Sequence, residues 1–87
     1  MKQINLNTFN YTENKFEGPY GEVINNKYEG VVDNYQITIF TGADGKQWLG
    51  TVRYNSTEKL VGEVSGSTTA QSVVDKLNMF IKNGVLK

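Results

Sequence analysis

The sequence predicts a single α+β domain: an antiparallel sheet of four to five strands with one C-terminal amphipathic helix packed on a face. Apolar residues recur at helical spacing near the C-terminus. Upstream, three runs alternate apolar and polar residues at strand period, with turn-forming residues between them. The chain has 87 residues, 38% of them hydrophobic, which is material for one small core and no more.

The helix is the clearest element. Ala70, Val73, Val74, Leu77, Phe80 and Ile81 fall at i, i+3, i+4 and i+7 intervals. Gln71, Ser72, Asp75, Lys76, Asn78 and Lys82 take the other face, with Met79 among them. Thr68 and Gln71 have the spacing of a capping box, in which the hydroxyl caps a backbone N–H and the glutamine reaches back. Asn83-Gly84 supplies the stop, because glycine adopts positive φ freely. These signals predict a helix over 69–83 whose apolar stripe needs a sheet to cover it.

That sheet is legible in residues 34–66 as a three-stranded meander. Tyr35, Ile37 and Ile39 alternate with Gln36 and Thr38. Gly42-Ala43-Asp44-Gly45 reads as a hairpin loop. Trp48, Gly50, Val52 and Tyr54 form one face of the next strand, the face expected under the helix, and Leu49, Thr51 and Arg53 form the other. After the turn at Asn55-Ser56-Thr57-Glu58, a third strand holds Leu60, Val61 and Val64 and ends at Ser65-Gly66-Ser67.

Residues 1–33 are Asn-rich and less regular. Ile4 and Leu6 alternate with Gln3, Asn5 and Asn7, which suggests a strand. Gly18-Pro19-Tyr20-Gly21 reads as a loop, and Val23-Ile24 and Val31-Val32 as short strands around Asn25-Asn26. Asn14-Lys15-Phe16-Glu17-Gly18 recurs as Asn26-Lys27-Tyr28-Glu29-Gly30, whether by coincidence, as two similar strand ends in a twisted hairpin, or as a duplicated contact element. Residues 1–33 carry five acids and three bases, residues 34–87 four acids and six bases. Neither half is large enough for its own core, so the first is expected to add strands to a sheet that the second completes.

Composition narrows the chemistry. There is no Cys and no His. Disulfides, thiolate metal sites, Cys nucleophiles and every His-dependent triad are therefore excluded. Glu17 with Glu22, and Glu58 with Glu63, are spaced like surface charges, and no Walker loop or nucleophile elbow occurs. Asp44 stands without the companion oxygen ligands of a calcium loop. No catalysis, cofactor or metal is expected. Residues 1–10 contain no apolar targeting core, and no apolar run approaches a spanning helix, so a cytoplasmic location without membrane contact is the expectation. The glycosylation patterns at Asn10 and Asn55 are read as chance.

Two binding surfaces suggest themselves. Nine basic residues balance nine acidic ones, which lacks the basic excess of a general nucleic-acid binder. Lys46, Arg53 and Lys59 nevertheless cluster in sequence around Trp48 and Tyr54, and make the alternative nucleic-acid site. The ten aromatic residues favour protein binding, because aromatic side chains, Tyr above all, offer large contact area with few torsions. Phe9, Tyr11, Phe16, Tyr20 and Tyr28 surround the Gly-Pro loop and are the expected partner-binding residues. Phe40, out of phase with Ile37 and Ile39, and Met79 are further apolar contact candidates.

The stretch from Asn34-Tyr35 through the meander to Val73-Val74-Asp75-Lys76-Leu77 and Phe80-Ile81-Lys82-Asn83-Gly84 resembles the small phage-encoded anti-CRISPR inhibitors. The resemblance implies a non-enzymatic inhibitor that blocks a larger host protein, a CRISPR effector nuclease, by steric occlusion. It assigns no residue roles. The Gly66-Ser67-Thr68 turn into the helix also resembles HicB-type antitoxins, which implies a domain masking a small toxin. The DNA-binding segment that follows in that family is not expected here. A monomer or a homodimer, through exposed strand edges, fits either reading.

Overall fold

A computed structural model describes residues 2–43 and 45–85. Five strands follow one another as β1 (Asn10–Gly18), β2 (Gly21–Val32), β3 (Tyr35–Thr41), β4 (Trp48–Tyr54) and β5 (Leu60–Ser67), and a helix, α1 (Ala70–Lys82), closes the described chain. The strands lie in chain order in one sheet, every neighbouring pair antiparallel. This is the α+β architecture that the two periodicities predict.

Strand β3 is central, and its burial alternates without exception: Tyr35, Ile37, Ile39 and Thr41 are buried and the residues between them half-buried. Its inward face meets Val52 and Gly50 of β4 in register. Helix α1 lies over β3, β4 and β5 and seals that face with Val73, Val74 and Leu77. Ile37, Ile39, Val52, Val73, Val74 and Leu77 are the fully buried side chains. Each contributes roughly 1.5–3 kcal/mol from leaving water. Gly50 lets the helix approach, since a Cβ there would stand 2.5 Å from Val73 Cγ1.

The helix ends are built by side chain and backbone. Thr69, not Thr68, is the N-cap, and its hydroxyl accepts from the Ser72 N–H at 3.1 Å. The capping box fails because Gln71 turns along the helix and donates to Asp75 Oδ1 at 3.0 Å. At the other end Gly84 takes φ +77, its N–H reaches Ile81 O at 3.2 Å, and Val85 N–H reaches Phe80 O at 2.8 Å. That is the paired bonding of a Schellman stop, as Asn83-Gly84 predicts.

Two N-terminal expectations are corrected, and one at the end of the third meander strand. Residues 4–6 do not form a strand. Asn5 caps a short 3-10 turn, Leu6–Thr8, by accepting from the Asn7 N–H at 3.0 Å, and this breaks the extended backbone. Val23-Ile24 and Val31-Val32 belong to one 12-residue strand, β2, which runs through Asn25-Asn26 because both asparagines pair with β1. Between the two halves lies a two-residue turn, Asp33-Asn34, with Asp33 at φ +54. At the far edge, β5 continues through Ser67, past a register irregularity at Gly66, φ +74, because Ser67 pairs with Trp48.

The β3–β4 loop is tied by Gly42 N–H to Gln47 O at 2.8 Å and Gly45 N–H to Gly42 O at 2.9 Å. Gly45, at φ +70, lies so close to β2 that a Cβ would stand 2.8 Å from Ile24 O. Asp44, the third residue of this loop, falls outside the described residues.

Candidate binding surface

The β1–β2 hairpin extends past the helix. Its register runs unbroken from Asn10 opposite Glu29 to Gly18 opposite Gly21, with Pro19-Tyr20 as the tip. Proline fixes its own φ at the first turn position, and Gly21 takes φ +121 after it. The segment expected to be irregular is thus an ordered ladder. No residue of β1 is buried.

Cross-strand partners share a face, so the register sorts the hairpin into two surfaces. On the helix side stand Tyr11, Glu13, Lys15 and Glu17, opposite Tyr28, Asn26, Ile24 and Glu22. On the reverse stand Asn10, Thr12, Asn14 and Phe16, opposite Glu29, Lys27, Asn25 and Val23. The repeated pentapeptide is divided by this geometry. Phe16 is on the reverse face and Tyr28 on the helix side, so the two copies do not make one duplicated contact element.

The five partner-binding candidates separate. Phe9 is buried, its ring lying over Gly30, where a Cβ would stand 2.5 Å from Phe9 Cδ1. It belongs to the core and leaves the candidate surface. Tyr28 is half-buried, with ring centroids 4.8 Å from Tyr11 and 6.0 Å from Trp48. These three rings form a row across the sheet beyond the helix. Tyr11 at 48%, Phe16 at 45% and Tyr20 at 102% relative accessibility are exposed. Tyr20 rises beside a cavity of about 550 Å³ lined by Pro19, Glu22, Val23, Ala43 and Lys46.

Tyr11 is held in place. Its hydroxyl donates to Asn26 Oδ1 at 2.9 Å and lies 3.4 Å from Glu13 Oε2. Loss of solvent, then the charge and hydrogen bonding of Glu13, raise its phenol pKa above the ordinary value of 10.0.

The basic trio does not form one patch. Arg53 Nη1 donates to Glu58 O at 3.1 Å, and Lys59 lies in the same β4–β5 turn. Lys46 precedes the opposite end of β4, roughly 23 Å away along an extended strand. Arg53 is also on the reverse face from Trp48 and Tyr54, so the rings that would stack bases are not beside it. Of the other candidates, Met79 is 60% exposed, and Phe40 is half-buried on the reverse face.

Phe40 borders a polar groove of about 340 Å³ with Thr12, Asn14, Asn25, Lys27 and Thr38. Asn25 Oδ1 is buried there without a hydrogen-bond partner, and Lys27 pairs with Glu29 at 3.0 Å. Sequence reasoning missed this groove because its polar residues alternate with other polar residues, and only the strand register collects them. Glu17 and Glu22, spaced in sequence like surface charges, are direct cross-strand neighbours. Among the described residues no three acidic, His or Cys side chains gather as a metal site, and no helix is long and apolar enough to cross a membrane.

The geometry defines an α+β domain with a five-stranded antiparallel meander, one covering helix and a projecting aromatic hairpin. No protein-family model, curated protein or solved structure matches the chain.

Proposed function

We propose that this domain is a non-enzymatic protein-binding module whose contact surface is the β1–β2 hairpin. The observation that supports it is the exposure of Tyr11, Phe16 and Tyr20 on a hairpin whose two strands pair without a register break. Large rings on an ordered scaffold lose little conformational freedom on binding, which favours affinity. The non-enzymatic reading rests on the absence of Cys and His from the sequence.

Within that class, the sequence resemblance of residues 34–84 favours a phage or mobile-element inhibitor that occludes a CRISPR effector nuclease in the host cytoplasm. The hairpin lies outside the resembling stretch, so its rings are this chain's own contribution to specificity. Titration of purified protein into a CRISPR effector cleavage reaction tests the reading. Stoichiometric loss of cleavage, relieved by Tyr11→Ser/Phe16→Ser/Tyr20→Ser, is expected. Unaltered cleavage by effectors of every type tried contradicts the inhibitor reading, and retention of a small ribonuclease in its place favours the toxin-masking class.

A further inference from the structure

We infer that two copies of this chain join edge to edge through β1, in the one twofold register that pairs Glu13 with Lys15 on both sides of the axis. Strand β1 is an outer strand of the sheet, nine residues long, with no register break against β2. Such an edge presents a row of unpaired backbone donors and acceptors to any strand that fits it. The opposite edge differs. β5 carries two register shifts and the positive-φ Gly66, devices that spoil a template.

A twofold axis that places two β1 strands antiparallel in one sheet stands perpendicular to that sheet. Side chains on the helix face of one copy then meet helix-face side chains of the other, so the axis passes through a residue. With the axis at Asn14, the whole strand overlaps. Asn14 meets its own counterpart, Glu13 meets Lys15 of the second copy and Lys15 meets Glu13, and Tyr11 meets Glu17. Thr12 meets Phe16 on the reverse face. Opposite charges directly across an antiparallel pair are favourable and like charges unfavourable. With the axis at Glu13 or at Lys15, identical charges stand face to face. With the axis at Phe16, Lys15 meets Glu17, but the overlap shrinks from the whole strand to residues 14–18.

Within one copy the Lys15–Glu13 pair is long, 3.9 Å, and both side chains are exposed, so each is available to a second strand. The product is a continuous ten-stranded sheet with both helices on one side and the two Tyr20 tips at opposite ends of the joint. Tyr11 and Phe16 lie along that joint, and Tyr20 stays clear of it.

Sedimentation equilibrium on the full chain, with no partner added, tests this. Wild type is expected to be a dimer that dissociates on dilution. Lys15→Glu and Glu13→Lys, each alone, are expected to weaken self-association by roughly tenfold or more, since each turns both charge pairs repulsive. The two single variants mixed are expected to form a heterodimer, and the exchange Glu13→Lys/Lys15→Glu in one chain is expected to restore the homodimer. These residues are exposed, and circular dichroism melting curves identify any variant that fails to fold. Monomeric wild type at high micromolar concentration, or a dimer indifferent to all of these exchanges, overturns the inference. Neither result bears on partner capture by the hairpin rings, so the two readings fail separately.

Discussion

Asn78 holds the backbone of Ile4 at both polar groups: the Ile4 N–H donates to Asn78 Oδ1 at 2.7 Å, and Asn78 Nδ2 donates to Ile4 O at 3.1 Å. The side chain thus acts as a strand partner for one residue of the N-terminal segment. It locks Ile4 into the core beside α1, and Phe9 follows onto Gly30. Asn78→Ala leaves both Ile4 groups unpaired, so a loss of about 1–3 kcal/mol is expected. Urea unfolding followed by Trp48 fluorescence measures it. An unchanged midpoint contradicts the role assigned to the clamp.

The helix N-cap gives a test between adjacent hydroxyls. Thr69→Ala removes the bond to the Ser72 N–H and is expected to cost about 1 kcal/mol. Thr68→Ala removes no cap and is expected to be near neutral. Thermal melts of the two variants side by side decide between the observed cap and the capping box that the spacing suggests.

Gly50 and Val73 form a coupled pair. Gly50→Ala forces a methyl against Val73 Cγ1, so a destabilisation of about 1–3 kcal/mol is expected. Val73→Ala relieves that clash while opening a small cavity of its own. The double variant is therefore expected to be more stable than the two single losses added together. Strict additivity in denaturant unfolding contradicts close helix–sheet contact at this point.

Tyr11 links pH to the hairpin. Its phenol is raised first by loss of solvent and then by Glu13, so the folded form holds the proton more tightly than the unfolded chain. The sign follows from linkage: this contribution is complete below the unfolded phenol value and is lost as pH rises through the folded one. A spectrophotometric titration should show a tyrosine ionising above 10.0. Glu13→Gln should move that tyrosine back towards 10.0, because the charge of Glu13 is gone while desolvation and the neighbouring Tyr28 remain. No change on Glu13→Gln contradicts the electrostatic part.

The meander and helix were legible because burial writes a period into sequence. β3 alternates buried and half-buried positions, and α1 turns Val73, Val74 and Leu77 to the sheet. The hairpin was not, because β1 buries nothing on either face and so carries no alternation to read. Its strand character comes from pairing with β2, a long-range fact. Asp33-Asn34 is a local signal that the sequence reading lacks, since an Asp-Asn pair between extended runs marks a two-residue hairpin turn. Phe9 was misplaced for a related reason: its burial depends on Gly30, twenty-one residues on, and nothing near it in sequence shows the socket. Of the candidate contact rings, Tyr11, Phe16 and Tyr20 face solvent, while the aromatic row through Tyr28 and Trp48 emerged only from the register.

The most direct test of the binding surface is affinity capture from bacterial lysates, CRISPR-bearing strains included, with three baits in parallel. These are wild type, Tyr11→Ser/Phe16→Ser/Tyr20→Ser, and Arg53→Ala/Lys59→Ala at the far end of β4. The account predicts one protein retained in stoichiometric amounts by wild type and by the Arg53/Lys59 variant, and lost with the three rings. Recovery of nucleic acid alone, removed by salt and abolished by Arg53→Ala/Lys59→Ala, would contradict it.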